Sequence, residues 1–229
     1  MKVSLLNYTP NPERTISLAA RLCYSNDNIT ALEDRLRDAS QEIFLNKILK
    51  SGHHSVIEHA SFTFGIEGIS RATSHQLVRH RIASYSQQSQ RYVEFKDGLG
   101  YIIPPLINEN GGLKDKFIKA LESLYSLYQE LIETGIPAED ARYVLPNASE
   151  TRIIVTMNAR ELLHFFRVRC CNRAQWEIRE MAKEMLILAK SKAPFVFKDA
   201  GPVCLTKKCL EGDMSCGQRE EVIREFKYI

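Results

Sequence analysis

The sequence is organised around one polar segment, residues 79–92, which reads Arg79-His80-Arg81-Ile82-Ala83-Ser84-Tyr85-Ser86-Gln87-Gln88-Ser89-Gln90-Arg91-Tyr92. The wider region 68–93 contains no Asp, Glu or Lys, and its formal charges are four arginines, Arg71, Arg79, Arg81 and Arg91. Arginine presents a planar fork of donors that fits phosphate, and the neighbouring Ser and Gln side chains donate and accept hydrogen bonds. A cationic segment without counterions of its own favours an external anion. The segment therefore predicts a site for a phosphorylated, planar ligand, with a solvated basic loop as the competing interpretation.

Composition places few other restrictions on function. The chain has 229 residues, of which 44% are hydrophobic and 26% charged, as is usual for a globular protein of one large domain or two small ones. The net charge of +3 does not indicate nucleic acid as a partner. No apolar run approaches the roughly 20 residues of a membrane span, and the N-terminal segment is too short for the apolar core of a signal peptide. We expect a cytoplasmic protein without a membrane or nucleic-acid partner.

Hydrophobic periodicity predicts a mixed fold. Alternation over 62–67 and over 152–157 predicts two strands, and the N-terminal residues predict a third. Helical spacing predicts long helices over 113–131 and 174–192, whereas Pro104 and Pro105 predict a loop over 98–112. We expect an α+β fold in a single domain, residues 1–199, with a short-stranded sheet packed with several long helices. Residues 200–229 are expected to form a Cys-containing C-terminal tail that ends in a short helix.

Several local expectations surround the polar segment. A short helix over 69–78 should deliver Arg79 from its C-terminal end, and residues 82–92 should be irregular enough to wrap a ligand. Arg142, on a short helix, is typical of a surface residue. Arg169 lies in line with three large apolar side chains, so it either snorkels from the core edge, which its context favours, or points into a site. Asn158 should cap the helix that carries Arg169, with Glu161 at the reciprocal position.

The cysteines and the absent motifs exclude some kinds of site. Cys23 lies on an apolar helix face and is predicted to be a core residue. Cys204, Cys209 and Cys216 have spacings that match no standard zinc pattern, so reduced thiols are expected and a metal or redox role is the minority alternative. No metal site is expected. Neither GxGxxG nor GxxxxGK[ST] occurs, so no Rossmann or P-loop phosphate site is supported.

Arg79-His80-Arg81, followed after seven residues by Ser89, resembles the signature of flavin-dependent thymidylate synthases. Further segments are similar to segments of that family in the same order: 53–59, Gln76, 89–92, 141–146, 158–160 and 162–177. The resemblance covers about residues 1–198 and leaves the tail outside. It implies the fold of that family and the conversion of dUMP to dTMP. It also implies 5,10-methylenetetrahydrofolate as carbon donor, reduced FAD as hydride source, NADPH as reductant of the flavin, and a homotetramer whose active sites are assembled from several subunits.

The resemblance also implies site residues. The implied FAD contacts are Ser55, Arg79, His80, Arg81, Asn158, Arg160 and His164. The implied dUMP contacts are Gln76, Arg79, Gln87, Ser89, Arg91, Arg142 and Arg169. For catalysis we select Arg169, which would stabilise the pyrimidine ionised at N3, and Ser89, which would position and polarise dUMP without attacking it.

Two other classes of protein remain as alternatives. A nucleic-acid-binding protein that uses the arginine cluster would bind in a salt-dependent manner and would be colourless. A metal module built on the tail cysteines would carry metal after purification. A flavin absorbance spectrum of the purified protein would favour the enzyme over both.

Overall fold

The computed structural model describes residues 1–36, 40–95 and 98–229. It has the expected α+β composition, with four strands in one antiparallel sheet of order β1-β2-β4-β3. The strands are β1 Lys2–Tyr8, β2 Ser61–Ser70, β3 Ala83–Gln87 and β4 Glu150–Asn158. Buried and less buried side chains alternate along β2 and β4, as the period of two predicts.

Strand β3 corrects the expectation of an irregular segment over 82–92. Polar side chains gave no hydrophobic alternation there, but the backbone of β3 pairs with β4 nonetheless. Just past the end of β3, the Gln88 amide donates to the Arg152 carbonyl at 3.0 Å. The Tyr85 hydroxyl also donates to the Leu77 carbonyl at 2.8 Å. Tertiary pairing has overridden a weak local signal in this segment.

Ten α-helices are defined within the described ranges: α1 Pro12–Leu22, α2 Ile29–Leu36, α3 Glu42–Ser51, α4 Arg71–Leu77, α5 Pro105–Asn108, α6 Gly111–Glu133, α7 Ala138–Ala141, α8 Ala159–Arg169, α9 Trp176–Lys190 and α10 Arg219–Phe226. Short 3₁₀ helices cover His54–His59, Arg142–Val144, Val203–Leu205 and Gly212–Met214. Helix α5 was not expected. Pro105 is its first residue, where a missing N–H costs nothing, so a proline pair did not exclude a helix.

The helix caps follow the sequence in part. Asn158 caps α8, because its Oδ1 accepts the Glu161 amide at 2.9 Å. Gly52 ends α3 with a φ of 77°, a conformation that favours glycine. Asn11 stands at the N-cap of α1 without a side-chain capping bond. An asparagine just before a helix therefore indicates an N-cap, but it does not always supply a side-chain capping hydrogen bond.

The described chain divides into two compact units. The first unit comprises Met1–Lys2, Ile66–Arg79 and Tyr85–Ile154. Its longest element is α6, whose buried side chains include Leu121 and Tyr128. The Tyr125 hydroxyl of α6 donates to the Phe95 carbonyl at 2.8 Å.

The second unit comprises Val3–Gly65, His80–Ser84 and Val155–Ile229. An aromatic cluster lies in its core. The ring centroid of Phe197 lies 5.5 Å from that of Phe62 and 5.8 Å from that of Phe166. Cys23 is exposed, which corrects its prediction as a core residue; α1 ends at Leu22, so Cys23 lies beyond the last helical turn. The domain boundary at residue 199 stays a prediction. Within the described ranges, no helix combines the length and apolar character needed to cross a membrane.

Candidate functional site

The second unit contains a cavity of about 720 Å³ beside the start of α8. This volume is within the roughly 300–1,000 Å³ typical of ligand pockets. Asn158, Arg160 and His164, three of the predicted FAD contacts, line the cavity. The lining is completed by His54, Glu58, Glu161 and Arg167 and by the apolar side chains of Ile57, Ile82 and Leu163. Three predicted FAD contacts thus lie around one cavity, whose lining includes two arginines, two glutamates and two histidines, and their role as FAD contacts stays a prediction.

The junction of β4 and α8 positions the first two of these residues. Asn158 ends β4 and caps α8, and the Ala159 amide donates to the Ala60 carbonyl at 2.7 Å, which fixes the junction against β2. Arg160 follows directly, with its Nη1 atom 2.5 Å from the Glu58 carboxylate. The N terminus of α8 favours negative charge, so the junction suits an anionic ligand.

The remaining predicted FAD contacts of this unit differ in their surroundings. His164 is exposed, and its Nδ1 accepts from the Arg167 guanidinium at 3.1 Å. Ser55 and Arg81 are also exposed, and in the described part of the chain they do not line the cavity. The structure thus gathers Asn158, Arg160 and His164 and leaves these two elsewhere on the unit.

A buried array of three side chains links α8 to the polar segment. The Glu161 carboxylate lies 3.2 Å from His80 Nδ1, and the Arg169 Nε–H donates to His80 Nε2 at 3.0 Å. The His80 and Glu161 side chains are only 5% and 8% exposed. The His80 ring also makes an edge contact with Phe165, with centroids 4.9 Å apart. Arg169 is therefore turned towards His80, and its role as a site residue stays a prediction.

Electrostatics keep His80 neutral. Burial lowers the pKa of His80 to about 4, assisted by the positive charge of Arg169 and by His164. Burial also lowers the pKa of Arg169 and raises that of Glu161. At neutral pH the imidazole is therefore a fixed hydrogen-bond relay between a carboxyl group and a guanidinium.

Among the described residues, the ligand atoms of His80, Glu161 and His164 lie within 4.8 Å of one another, as in a metal site. Both nitrogens of His80 are already engaged in hydrogen bonds, to Glu161 and Arg169. The hydrogen-bonded array accounts for this grouping without a metal, and the absence of a metal site stays a prediction.

The first unit carries most of the predicted dUMP contacts. Gln87 Nε2 donates to Ser74 Oγ at 2.9 Å and to Thr151 Oγ1 at 3.2 Å. Ser89 Oγ accepts the Arg91 amide at 3.1 Å. Gln76 is half-buried on α4, and Arg79 is exposed just beyond its end. Gln87 and Ser89 therefore have defined local partners.

Two predicted arginines meet at Glu139, which the sequence did not single out. Arg91 Nη2 lies 2.8 Å from the Glu139 carboxylate, and Arg142 Nε donates to the Glu139 carbonyl at 3.1 Å. Region 68–93 lacks acids in sequence, but Glu139 supplies a counterion to Arg91 from another segment. The expectation of a patch without counterions is thus corrected at Arg91.

The sequence did not assign to the site two residues that interact with predicted site residues in the structure, Arg71 and Glu161. Arg71 was noted as a charge and was not assigned to the site; burial and the nearby positive charge of Arg142 lower its pKa. Glu161 was considered only as a capping residue, and its carboxylate instead contacts His80. No local signal in the sequence pointed to either contact.

Comparisons with known proteins cover nearly the whole chain. The family model described as "Thymidylate synthase complementing protein" matches residues 4–195. A "Flavin-dependent thymidylate synthase" of Geobacter sulfurreducens is 58% identical over 228 residues, 99% of this chain and 98% of that protein. Proteins of the same name from Clostridium tetani and Pyrococcus furiosus are 50% and 49% identical, over 97% and 81% of this chain and 95% and 78% of their own lengths. The match to the Geobacter protein includes the C-terminal tail, which the sequence-based resemblance left outside.

Proposed function

Because the chain belongs to the flavin-dependent thymidylate synthase family, we infer that it catalyses the reductive methylation of dUMP to dTMP. We propose 5,10-methylenetetrahydrofolate as the carbon donor, FAD as the cofactor and NADPH as the reductant. The observation that carries this proposal is the cavity lined by Asn158, Arg160 and His164, next to the buried array that holds Arg169.

The residues of the cavity suit FAD. The diphosphate of FAD is anionic, and Arg160, Arg167 and the N terminus of α8 offer positive charge and N–H donors. Ser55, Arg79, His80 and Arg81 complete the proposed set. When bound and reduced, FAD supplies the hydride for the methylation. Arg160 keeps its orientation through Glu58, whose carboxylate also offsets part of the positive charge of the cavity.

Arginines of the first unit suit the phosphate of dUMP. Arg71 is partly buried, and its pKa is lowered by burial and by the charge of Arg142, so two cations repel each other there. A phosphate dianion would relieve this repulsion and accept charge-assisted hydrogen bonds. We assign Arg142 and Arg91 to phosphate binding with Arg71 as an addition, and Gln76, Arg79, Gln87 and Ser89 to the remainder of dUMP.

The electronic role belongs to Arg169. Methylation at C5 of uracil needs electron density on the ring, and a cationic donor at the pyrimidine edge stabilises the ring ionised at N3. Arg169 is half-buried and bonds to His80, whose ring contacts Phe165, and such surroundings strengthen a charge-assisted hydrogen bond. An interaction that grows as the ring becomes anionic lowers the barrier and does not merely improve binding. Ser89 positions and polarises the substrate in this scheme.

We also propose the homotetramer of the family, with sites assembled from several subunits. Large apolar side chains of the first unit are exposed: Leu106 at 82%, Tyr143 at 83% and Tyr92 at 80%. Tyr92 and Tyr143 directly follow Arg91 and Arg142, the arginines proposed to bind phosphate. A neighbouring subunit that covered these rings would also enclose the phosphate site.

The direct test is flavin binding by the purified protein. We expect a yellow protein, or uptake of FAD by the apoprotein, with an absorbance spectrum that changes when dUMP is added. The variant Arg160→Ala should bind FAD more weakly, whereas Lys198→Ala, which removes a surface ion pair with Glu42, should bind it normally. A folded protein that stays colourless with excess FAD and binds RNA or DNA in a salt-dependent manner would support the nucleic-acid alternative, which the relatives do not favour.

A further inference from the structure

We propose that Glu161 is a positioning residue of the active site: through His80 it orients the guanidinium of Arg169. Arg169 itself was proposed above as the group that contacts the pyrimidine, so the catalytic part of this inference rests on the proposed function. The hydrogen-bond arrangement of Glu161, His80 and Arg169 does not rest on the proposed function, because it follows from the described side chains alone.

The first step is the chemistry of the three partners. An arginine Nε–H is always a donor, so His80 Nε2, 3.0 Å away, must accept and carries no proton. A neutral imidazole has one protonated nitrogen, which is then Nδ1. Nδ1–H therefore donates to the Glu161 carboxyl oxygen at 3.2 Å. Arg169 and Glu161 thus favour the same tautomer of His80, one through each ring nitrogen.

The second step concerns the surroundings of the His80 ring. The His80 ring touches Phe165 and lies 5.7 Å from the ring of His164, and its side chain is 5% exposed. Glu161 also lines the cavity of about 720 Å³, so in Glu161→Ala mobile water of that cavity would replace a fixed acceptor at Nδ1. Without the carboxyl group the preference for a proton on Nδ1 would be weaker, and a proton on Nε2 would face the Nε–H of Arg169. The carboxyl group removes this donor–donor conflict.

The third step connects the array to Arg169. A guanidinium is planar, so a bond that holds Nε fixes the plane in which the terminal NH₂ groups lie. Glu161 lies in the first turn of α8 and Arg169 is its last residue, and both side chains converge on the ring of His80. Carboxylate–imidazole pairs act in this way on metal ligands, where loss of the outer partner costs about 10–100-fold. Here the imidazole holds a guanidinium instead of a metal.

The kinetic test compares Glu161→Ala with Glu161→Gln in the FAD-loaded enzyme. Glu161→Ala should lower kcat about tenfold or more, with little change in the KM for dUMP, because orientation is lost and binding groups remain. Glu161→Gln should recover most of the activity, because its amide oxygen can still accept from Nδ1–H. Glu42→Ala, which removes a surface carboxylate paired with Lys198, is the control for loss of a glutamate.

The outcomes separate the inference from the proposed function. If the wild-type protein makes dTMP and Glu161→Ala keeps the wild-type kcat, or if Glu161→Gln is as impaired as Glu161→Ala, the positioning role is wrong. If the wild-type FAD-loaded protein makes no dTMP, the proposed function fails instead.

Nuclear magnetic resonance of ¹⁵N-histidine-labelled protein tests the array without any activity. The imidazole signals of His80, assigned by comparison with His80→Gln, should show a protonated Nδ1 and an unprotonated Nε2 at neutral pH. In Glu161→Ala the two tautomers should become mixed, and in Glu161→Gln the wild-type pattern should return. A wild-type His80 protonated on Nε2 would overturn the inference.

Discussion

Arg169 shows what a single residue reveals in sequence and what it does not. On its own helix it follows Leu162, Phe165 and Phe166, a context that favours snorkelling over function. The structure adds a contact 89 residues away in the chain, the hydrogen bond from Arg169 to His80. Only the resemblance to a family pointed to Arg169 in advance, because helical periodicity carries no information about such long-range contacts.

Replacement of Arg169 should impair catalysis more than binding. In Arg169→Lys the planar fork is lost, and an ammonium cannot contact His80 and the pyrimidine in the same geometry. We expect kcat to fall by about tenfold or more, equivalent to roughly 1.4 kcal/mol. Steady-state kinetics at saturating dUMP measure this directly.

Arg142→Ala is the matched comparison. It removes a cation proposed to bind phosphate, so it should raise the KM for dUMP while kcat at saturation stays close to normal. If instead Arg169→Lys keeps kcat and only needs more dUMP, the electronic role of Arg169 is wrong.

His80 should make stability depend on pH in a specific window. The ordinary histidine pKa of 6.5 falls to about 4 in the fold, where Glu161, Arg169 and His164 surround the ring. Between these values the unfolded chain binds more protons than the native one. The contribution of neutral His80 is therefore complete above pH 6.5 and is lost as the pH falls towards 4, with a slope of at most about 1.4 kcal/mol per unit.

Denaturant unfolding at pH 7 and pH 5 measures this effect. The free energy of unfolding of the wild-type protein should fall more between these values than that of His80→Gln, which has no group to titrate at this position. Equal changes in the two proteins would mean that His80 titrates normally in the native state.

At the scale of elements, the junction of β4 and α8 was predictable and β3 was not. Alternation over 152–157 and a capping asparagine at 158 are strong local signals, and both are confirmed. Strand β3 has no hydrophobic alternation, and its pairing depends on the backbone of β4, including the Arg152 carbonyl. Helix α5 was missed because prolines exclude helix interiors but are tolerated at the first position.

Asn158, the N-cap of α8, should both stabilise its helix and contact FAD, whereas Asn110, the N-cap of α6, should only stabilise its helix. Asn158 and Asn110 both accept the amide of the residue three positions on, at 2.9 Å and 3.2 Å. Each substitution by alanine should lower the free energy of unfolding by about 0.5–2 kcal/mol. Only Asn158→Ala should also weaken FAD binding, because Asn158 lines the proposed cofactor cavity.

Flavin absorbance titration together with thermal unfolding distinguishes these effects. Equal FAD affinity in the two variants would reduce Asn158 to a structural cap and would remove it from the proposed cofactor contacts.

At the scale of the molecule, sequence reasoning predicted the α+β class and the family, and both are confirmed. It did not predict which residues form each compact unit, because the units are assembled from distant segments such as 80–84 and 155–229. It also did not supply the acidic partners, Glu139 for Arg91 and Glu161 for His80, since both come from other parts of the chain.

The proposed tetramer makes a prediction about exposed rings. Light scattering coupled to size exclusion should give a mass of four chains, and Tyr143→Glu should shift the protein to smaller species by placing a charge where an apolar ring is covered. Tyr24→Glu, an equally exposed ring of the second unit, is the control. A wild-type monomer that is fully active would contradict shared active sites.

The measurement that tests the central claim most directly is dTMP formation under anaerobic conditions. Flavin-free apoprotein is supplied with dUMP, 5,10-methylenetetrahydrofolate, FAD and NADPH, and the nucleotide product is identified by mass spectrometry. We predict dTMP that accumulates over many turnovers and that disappears when either the flavin or the folate is omitted. A folded, FAD-loaded protein that forms no dTMP from this mixture, or that forms it equally well without flavin, would contradict the account.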